Sequence, residues 1–211
     1  MTKRLQRLAA VATAALATSR AVVAQERLPT IPPASDSPEQ KHAAADFEAA
    51  RKVPVFGPFE SLMHSPQEMG QARTMGDYLR DKSAIGTTLS EFAILVTARE
   101  WTQDCEGYVH RPIAIKAGSK PAIIDAIAIA DGRRPEGMSD DEEIVCEFST
   151  ELHRTRRVSD RSFARAEKRF GKHGVVDLTG INACCTGLAM QLNMAQYGLP
   201  KDGKRLERFP R

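Results

Sequence analysis

Apolar residues recur along the chain mostly at helical spacing. The most apolar segment is residues 89–101 (LSEFAILVTAREW), in which apolar side chains cover most of a helix circumference. Such a pattern is typical of a buried helix at the centre of a protein. The next segment, residues 105–118 (CEGYVHRPIAIKAG), continues helically. We expect it to kink or restart near Gly107 and Pro112 and to end at Gly118.

Helix start and stop signals divide the rest of the chain into further helices. Ser37 and Pro38 form a helix start, and Ser65 and Ser159 are predicted caps. Residues 53–66 (VPVFGPFESLMHSP) are predicted to form a loop with apolar anchors. The other predicted helices cover residues 39–52, 66–83, 120–132, 140–155, 159–171 and 175–198. Because convincing strand-like alternation is missing, the predicted fold class is all-α.

The N-terminus has the pattern of a secretory signal peptide. Basic residues precede an apolar run at residues 8–18, and small residues lie just before Gln25. We therefore predict a cleaved leader at residues 1–24 and an exported, periplasmic protein; otherwise the protein is cytoplasmic. An extended arm and first helix would follow at residues 25–54.

Composition excludes some functions. The chain has 211 residues, 42% hydrophobic and 27% charged residues, and a net charge of +3. This near-balance gives no reason to expect nucleic acid as a partner or a stable membrane anchor. The four cysteines show no spacing of a disulfide scaffold, and the histidines show no metal-ligand spacing. We therefore predict no metal and no cofactor.

Residues 89–118 (LSEFAILVTAREWTQDCEGYVHRPIAIKAG) resemble the core of the carboxymuconolactone decarboxylase family, which includes the AhpD-like alkylhydroperoxidases. The resemblance rests on the glutamate in the apolar helix, the Arg-Glu-Trp exit, and a Glu-x-x-x-His followed by an Ala-Gly helix end. Residues 174–185 (GVVDLTGINACC) resemble a second segment of that family. The family domain would cover residues 55–198 and leave a tail at residues 199–211. It implies an AhpD-like helical bundle built around a core helical hairpin, assembled as a trimer or hexamer.

The resemblance also separates two chemistries. AhpD-like members carry Cys-x-x-Cys-x-x-x-His, with a relay glutamate twelve residues before the first cysteine. With His110 as the anchor, the two cysteine positions fall on Gln103 and Glu106, and the relay position falls on Glu91. The chain therefore retains the glutamate and the histidine but lacks the redox pair. Cys105 is one residue out of register, and Gly107 stands where a large aromatic residue is common.

Helical geometry makes Cys105 a weak nucleophile candidate. If residues 103–110 are helical, Glu106 and His110 share a face, and Gln103 joins them two turns away. Cys105 would then be turned about 100° from Glu106 and point at a neighbouring helix. We expect it to be a buried structural residue.

The matched residues favour acid–base chemistry. We predict a cofactor-independent decarboxylase for a small cyclic carboxylate, with His110 as acid or base and Glu91 and Glu106 as its relay. Glu91 precedes His110 by nineteen residues, so it reaches the site only if the chain breaks between two packed helices. The predicted substrate-binding residues are Arg99, Trp101, Gln103 and Tyr108. Further cations that could hold a substrate carboxylate are Arg111, Arg133 and Arg134.

Two alternatives stay open. The first is alkylhydroperoxidase-like activity through Cys105, resolved by another cysteine. The second is a non-catalytic helical binding protein, which the missing aromatic residues at Cys105 and Gly107 favour. Export argues against the decarboxylase, because aromatic-ring degradation of this type is normally cytoplasmic. The expected partners are a small-molecule substrate and further copies of the chain.

Overall fold

The structure, a computed structural model, describes residues 26–129 and 134–208. The predicted leader at residues 1–24 and Arg133 lie outside this range. Within it the chain forms α-helices and one short 3-10 helix, without a strand, which confirms the all-α prediction. The helices are α1 (Pro38–Arg51), α2 (Pro58–Leu62), α3 (Pro66–Asp81), α4 (Thr87–Glu100), α5 (Asp104–Lys116), α6 (Pro121–Ile129), α7 (Asp140–Thr155) and α8 (Asp160–Ala195).

Helix α4 lies at the centre of the fold. Every residue from Ser90 to Arg99 is buried, and α4 packs against α5, α7 and α8. Phe92 is completely buried, which stabilises the fold by about 1.5–3 kcal/mol for that side chain alone. The apolar circumference of this segment therefore predicts its position correctly.

Helix α8 contains two segments that the sequence predicts as separate helices. Gly171, with φ 69° and ψ 175°, breaks the helix between the predicted segments 159–171 and 175–198. Only glycine adopts this combination of φ and ψ without strain, so the break is fixed by this residue. By length and composition α8 could cross a membrane, a test that buried core helices also pass. Leu178, Ile181 and Leu192 of α8 are buried in this fold.

A second core lies between α1, α2 and α3. Phe47 of α1 is fully buried against Phe59 and Leu62 of α2 and Met69 of α3. The prediction of a loop at residues 53–66 is therefore wrong in part. Helix α2 forms there because a proline occupies its first position, where no backbone N–H is needed, and its apolar side chains enter this core. The core contains residues from both sides of position 55, and the predicted domain bounds stay predictions.

Candidate functional site

A tight turn between α4 and α5 brings the two halves of the site together. Thr102 adopts φ 47°, and the side chain of Gln103 caps α5 by accepting a hydrogen bond from the Cys105 N–H at 2.7 Å. Helix α5 then runs as one helix with Pro112 inside it, so it does not restart near Gly107 or Pro112, while a kink there stays a prediction. The chain reverses earlier, at this turn, and α5 packs back along α4.

Three side chains, those of Arg80, Glu91 and His110, form a hydrogen-bonded chain across the helices α3, α4 and α5. Nδ1 of His110 lies 2.7 Å from Oε2 of Glu91, and Nε of Arg80 donates to Oε1 of Glu91 at 2.9 Å. Burial alone would raise the pKa of Glu91. The hydrogen bond and charge of His110, together with Arg80, outweigh burial and hold this pKa below its usual range. Glu91 is therefore an ionised carboxylate that orients the imidazole of His110.

Glu106 has the opposite environment. Its side chain is buried, and Oε2 has no hydrogen-bond partner among the described residues. Burial raises the pKa of Glu106 to about 8, so this carboxyl keeps its proton at neutral pH. The predicted pairing of Glu106 with His110 gives way to a pairing of His110 with Glu91, because α5 presents its histidine to α4. The two glutamates therefore differ in charge, which suits different roles in acid–base chemistry.

A cavity of about 460 Å³, here called the central cavity, lies beside these groups. Glu106 and His110 line it from α5, while Glu91 lies behind the histidine. The volume is in the range of sites for small organic ligands. Its apolar lining includes Phe56, Phe59, Leu79, Ile94, Val109 and Ile113, and its charged lining includes Arg51, Asp77, Arg80 and Asp81.

Three free cysteines also line the central cavity: Cys105, Cys184 and Cys185. The prediction that Cys105 is buried is confirmed, since 5% of the residue is exposed, although it lines the cavity together with its neighbour Glu106. Burial, followed by the charge of Glu106, raises the pKa of Cys105 to about 12. Burial also raises the pKa of Cys184 and, well above its usual range, that of Cys185. All three thiols are therefore protonated at neutral pH, which disfavours nucleophilic attack.

Two of the predicted substrate-binding residues are held elsewhere. Arg99 donates to the carbonyl of Ala128 at 2.9 Å and lines a separate cavity of about 310 Å³. Gln103 caps α5 and donates through Nε2 to the Asn193 side chain at 2.9 Å. Their side chains fix loops and helix ends and do not line the central cavity.

The other two predicted substrate-binding residues also lie outside the central cavity. Trp101 ends α4, and Tyr108 donates a hydrogen bond to Asp202 in the C-terminal tail at 3.4 Å. The tail also places Leu206 against Gly107, where a Cβ would approach its side chain to 3.3 Å. A residue of the tail thus fills the space beside α5 at this position.

Two arginines of the central cavity, Arg51 and Arg80, are not recognisable from the sequence. Arg80 lies in the last turn of α3, where the helix dipole favours any cation, so its position alone carries no functional signal. Arg51 belongs to α1, outside the predicted domain. Only the folded arrangement brings both to the cavity wall.

A second partly buried histidine, His153, lies beside the core. Nε2 of His153 lies 2.9 Å from Oδ1 of Asn182 and 3.1 Å from the Thr97 hydroxyl, and Asn182 also donates to Ser149. Burial lowers the pKa of His153, so the ring is neutral in the folded protein. Over residues 26–129 and 134–208, the structure contains no group of three or more side chains placed to hold a metal ion.

Comparison with known proteins identifies the fold. No protein-family model and no curated protein matches the chain. A solved structure that does match is the crystal structure of an alkylhydroperoxidase AhpD core, an uncharacterized peroxidase-related protein from Ralstonia eutropha JMP134. The TM-score is 0.68 at 14% sequence identity, over 84% of this chain and 93% of that chain. The chain therefore has the AhpD-like helical fold.

Proposed function

We propose that the chain is a cofactor-independent acid–base enzyme that decarboxylates a small cyclic carboxylate in the central cavity. The observation that carries this proposal is the pair of unlike glutamates: ionised Glu91 behind His110, and protonated Glu106 beside it. An open cavity that holds an acid and a histidine also fits catalysis better than a non-catalytic binding role.

In the proposed reaction Glu106 and His110 have separate roles. The bond between the ring carbon and the substrate carboxylate breaks, carbon dioxide leaves, and the electron pair moves into a conjugated carbonyl. Glu106 donates a hydrogen bond to the oxygen that becomes the enolate. Protonated His110, held by Glu91, then delivers a proton to carbon, and solvent restores that proton.

The test is release of carbon dioxide from a panel of small unsaturated lactone carboxylates and cyclic keto acids. A His110→Asn variant should lose at least about a hundredfold in rate, because it retains polarity but cannot transfer a proton. Arg111→Gln is a matched control, since Arg111 pairs with Asp125 outside the cavity. Full turnover in His110→Asn would contradict the proposal.

A second candidate is thiol-dependent reduction of hydroperoxides. The observation that favours it is that three cysteines line one cavity in a fold shared with an AhpD core. The test is hydroperoxide consumption with a dithiol reductant, before and after alkylation of the cysteines. Rapid consumption that alkylation abolishes would favour this candidate over acid–base catalysis. Membership of the carboxymuconolactone decarboxylase family, the oligomeric state and export stay predictions.

A further inference from the structure

Helix α1 contributes a largely buried cation to the central cavity. Arg51 lines the cavity, and only 13% of its side chain is exposed. Its guanidinium carbon lies 4.5 Å from the ring centroid of Phe59 and 5.0 Å from that of Phe47. Such stacking fixes the plane of the guanidinium, so the group is already ordered before any ligand enters.

The local charges leave this region positive. Nε of Arg51 donates to Oδ1 of Asp77 at 2.9 Å, and Nη1 of Arg73 donates to Oδ2 of the same carboxylate at 3.0 Å. One carboxylate thus serves two guanidinium groups. Arg51 makes this bond through Nε, whereas a planar guanidinium can also present its terminal nitrogens to a second carboxylate.

The other charged groups of the cavity are either paired, protonated or exposed to solvent. Arg80 is paired with the ionised Glu91, so its charge is neutralised within the site. Glu106 is protonated and does not repel an anion. Asp81 also lines the cavity, but it is exposed at the end of α3, where water and salt screen its charge. Because Arg51 shares the carboxylate of Asp77 with Arg73, positive charge is in excess at this wall of the cavity.

We propose that Arg51 is an anion-binding residue of the central cavity, which holds the carboxylate of a small ligand whose ring lies against the apolar wall. This residue then determines the preference for anionic over neutral ligands. The inference deepens the proposed function, since it supplies the carboxylate-binding group of the same site. Arg99, Arg111 and Arg134, the described cations that the sequence offered for this role, lie outside the cavity lining.

The test compares binding of benzoate with binding of benzamide, its neutral counterpart of nearly equal shape, by titration calorimetry. The wild-type chain should bind benzoate at least about tenfold more tightly, which corresponds to one charge-assisted hydrogen-bonded contact. Arg51→Met, which keeps an apolar stem between the two rings, should remove this preference. Arg73→Met is the matched control, because Arg73 shares Asp77 but does not line the cavity, and it should keep the preference.

A second variant, Asp77→Asn, tests the inference even if Arg51→Met does not fold. Asp77→Asn removes the competing carboxylate and should tighten benzoate binding without tightening benzamide binding. The inference is overturned if Arg51→Met retains the preference, if Asp77→Asn leaves benzoate binding unchanged, or if the wild-type chain does not prefer benzoate. Benzoate binding is measured without turnover, so it does not depend on the decarboxylation step. Failure of the decarboxylase proposal would therefore leave this binding result intact, and the two failures can be told apart.

Discussion

Replacement of Glu106 by glutamine tests the protonated carboxyl on which the site depends. In the unfolded chain a glutamate loses its proton above its ordinary pKa of 4.5, whereas burial lets folded Glu106 keep its proton up to about pH 8. Between these values the unfolded state binds fewer protons, so the free energy of unfolding of the wild type falls as pH rises. At about 1.4 kcal/mol for each pH unit, the loss between pH 5 and pH 8 is about 4 kcal/mol. Glutamine is neutral in both states and has no such loss.

The assay is urea unfolding of the wild type and Glu106→Gln at pH 5 and pH 9. The stability difference between the two proteins should change by about 4 kcal/mol in favour of the variant at the higher pH. Glu136→Gln, at an exposed turn residue, is the matched control and should follow the wild type at both pH values. A difference that is the same at pH 5 and pH 9 would refute the reasoning, because it would mean that Glu106 ionises alike in both states.

Four further variants or treatments test other parts of the structure. Glu91→Gln removes the carboxylate that pairs with the partly buried Arg80, so it should lower stability by about 1–3 kcal/mol in urea unfolding; an unchanged midpoint would refute this. Because burial lowers the pKa of His153, stability should fall as pH drops below about 6.5, and His153→Gln should lose that dependence; parallel pH curves for both proteins would contradict it. Gly107→Phe should displace Leu206 and speed tryptic cleavage of the C-terminal tail, measured by mass spectrometry; equal cleavage rates would show that the contact does not hold the tail. Because burial raises its pKa to about 12, Cys105 should react with iodoacetamide at least about a hundredfold more slowly in the native protein than in urea; rapid native labelling would count against a buried thiol.

The helical fold could be predicted from the sequence because local patterns and tertiary packing agree. The apolar circumference of residues 89–101 requires burial on all sides, and α4 has that position. The Ser37 start of α1 forms the predicted cap, with its side chain accepting from the Gln40 N–H. The short helix α2 escaped prediction because five residues show too little periodicity, and its apolar anchors gain burial only from a second core.

The site was less accessible to sequence reasoning. Glu91 and His110 could be named because they match the relay glutamate and the histidine of the family that residues 89–118 resemble, and the distance of 2.7 Å shows that they meet. Arg51 and Arg80 could not be named, since their place at the cavity depends on how α1 packs against α3 and how α3 packs against α4 and α8. The burial of Cys105 could be predicted from helical spacing, but its place in the lining of the central cavity depends on how the helices pack.

The measurement that tests the central claim most directly compares carbon dioxide release by two variants on the same lactone carboxylates and keto acids. One variant is the triple substitution Cys105→Ser, Cys184→Ser and Cys185→Ser, and the other is His110→Asn. Acid–base catalysis predicts that the thiol-free protein keeps its turnover while His110→Asn loses at least about a hundredfold. Turnover that depends on the cysteines and survives in His110→Asn would contradict the account.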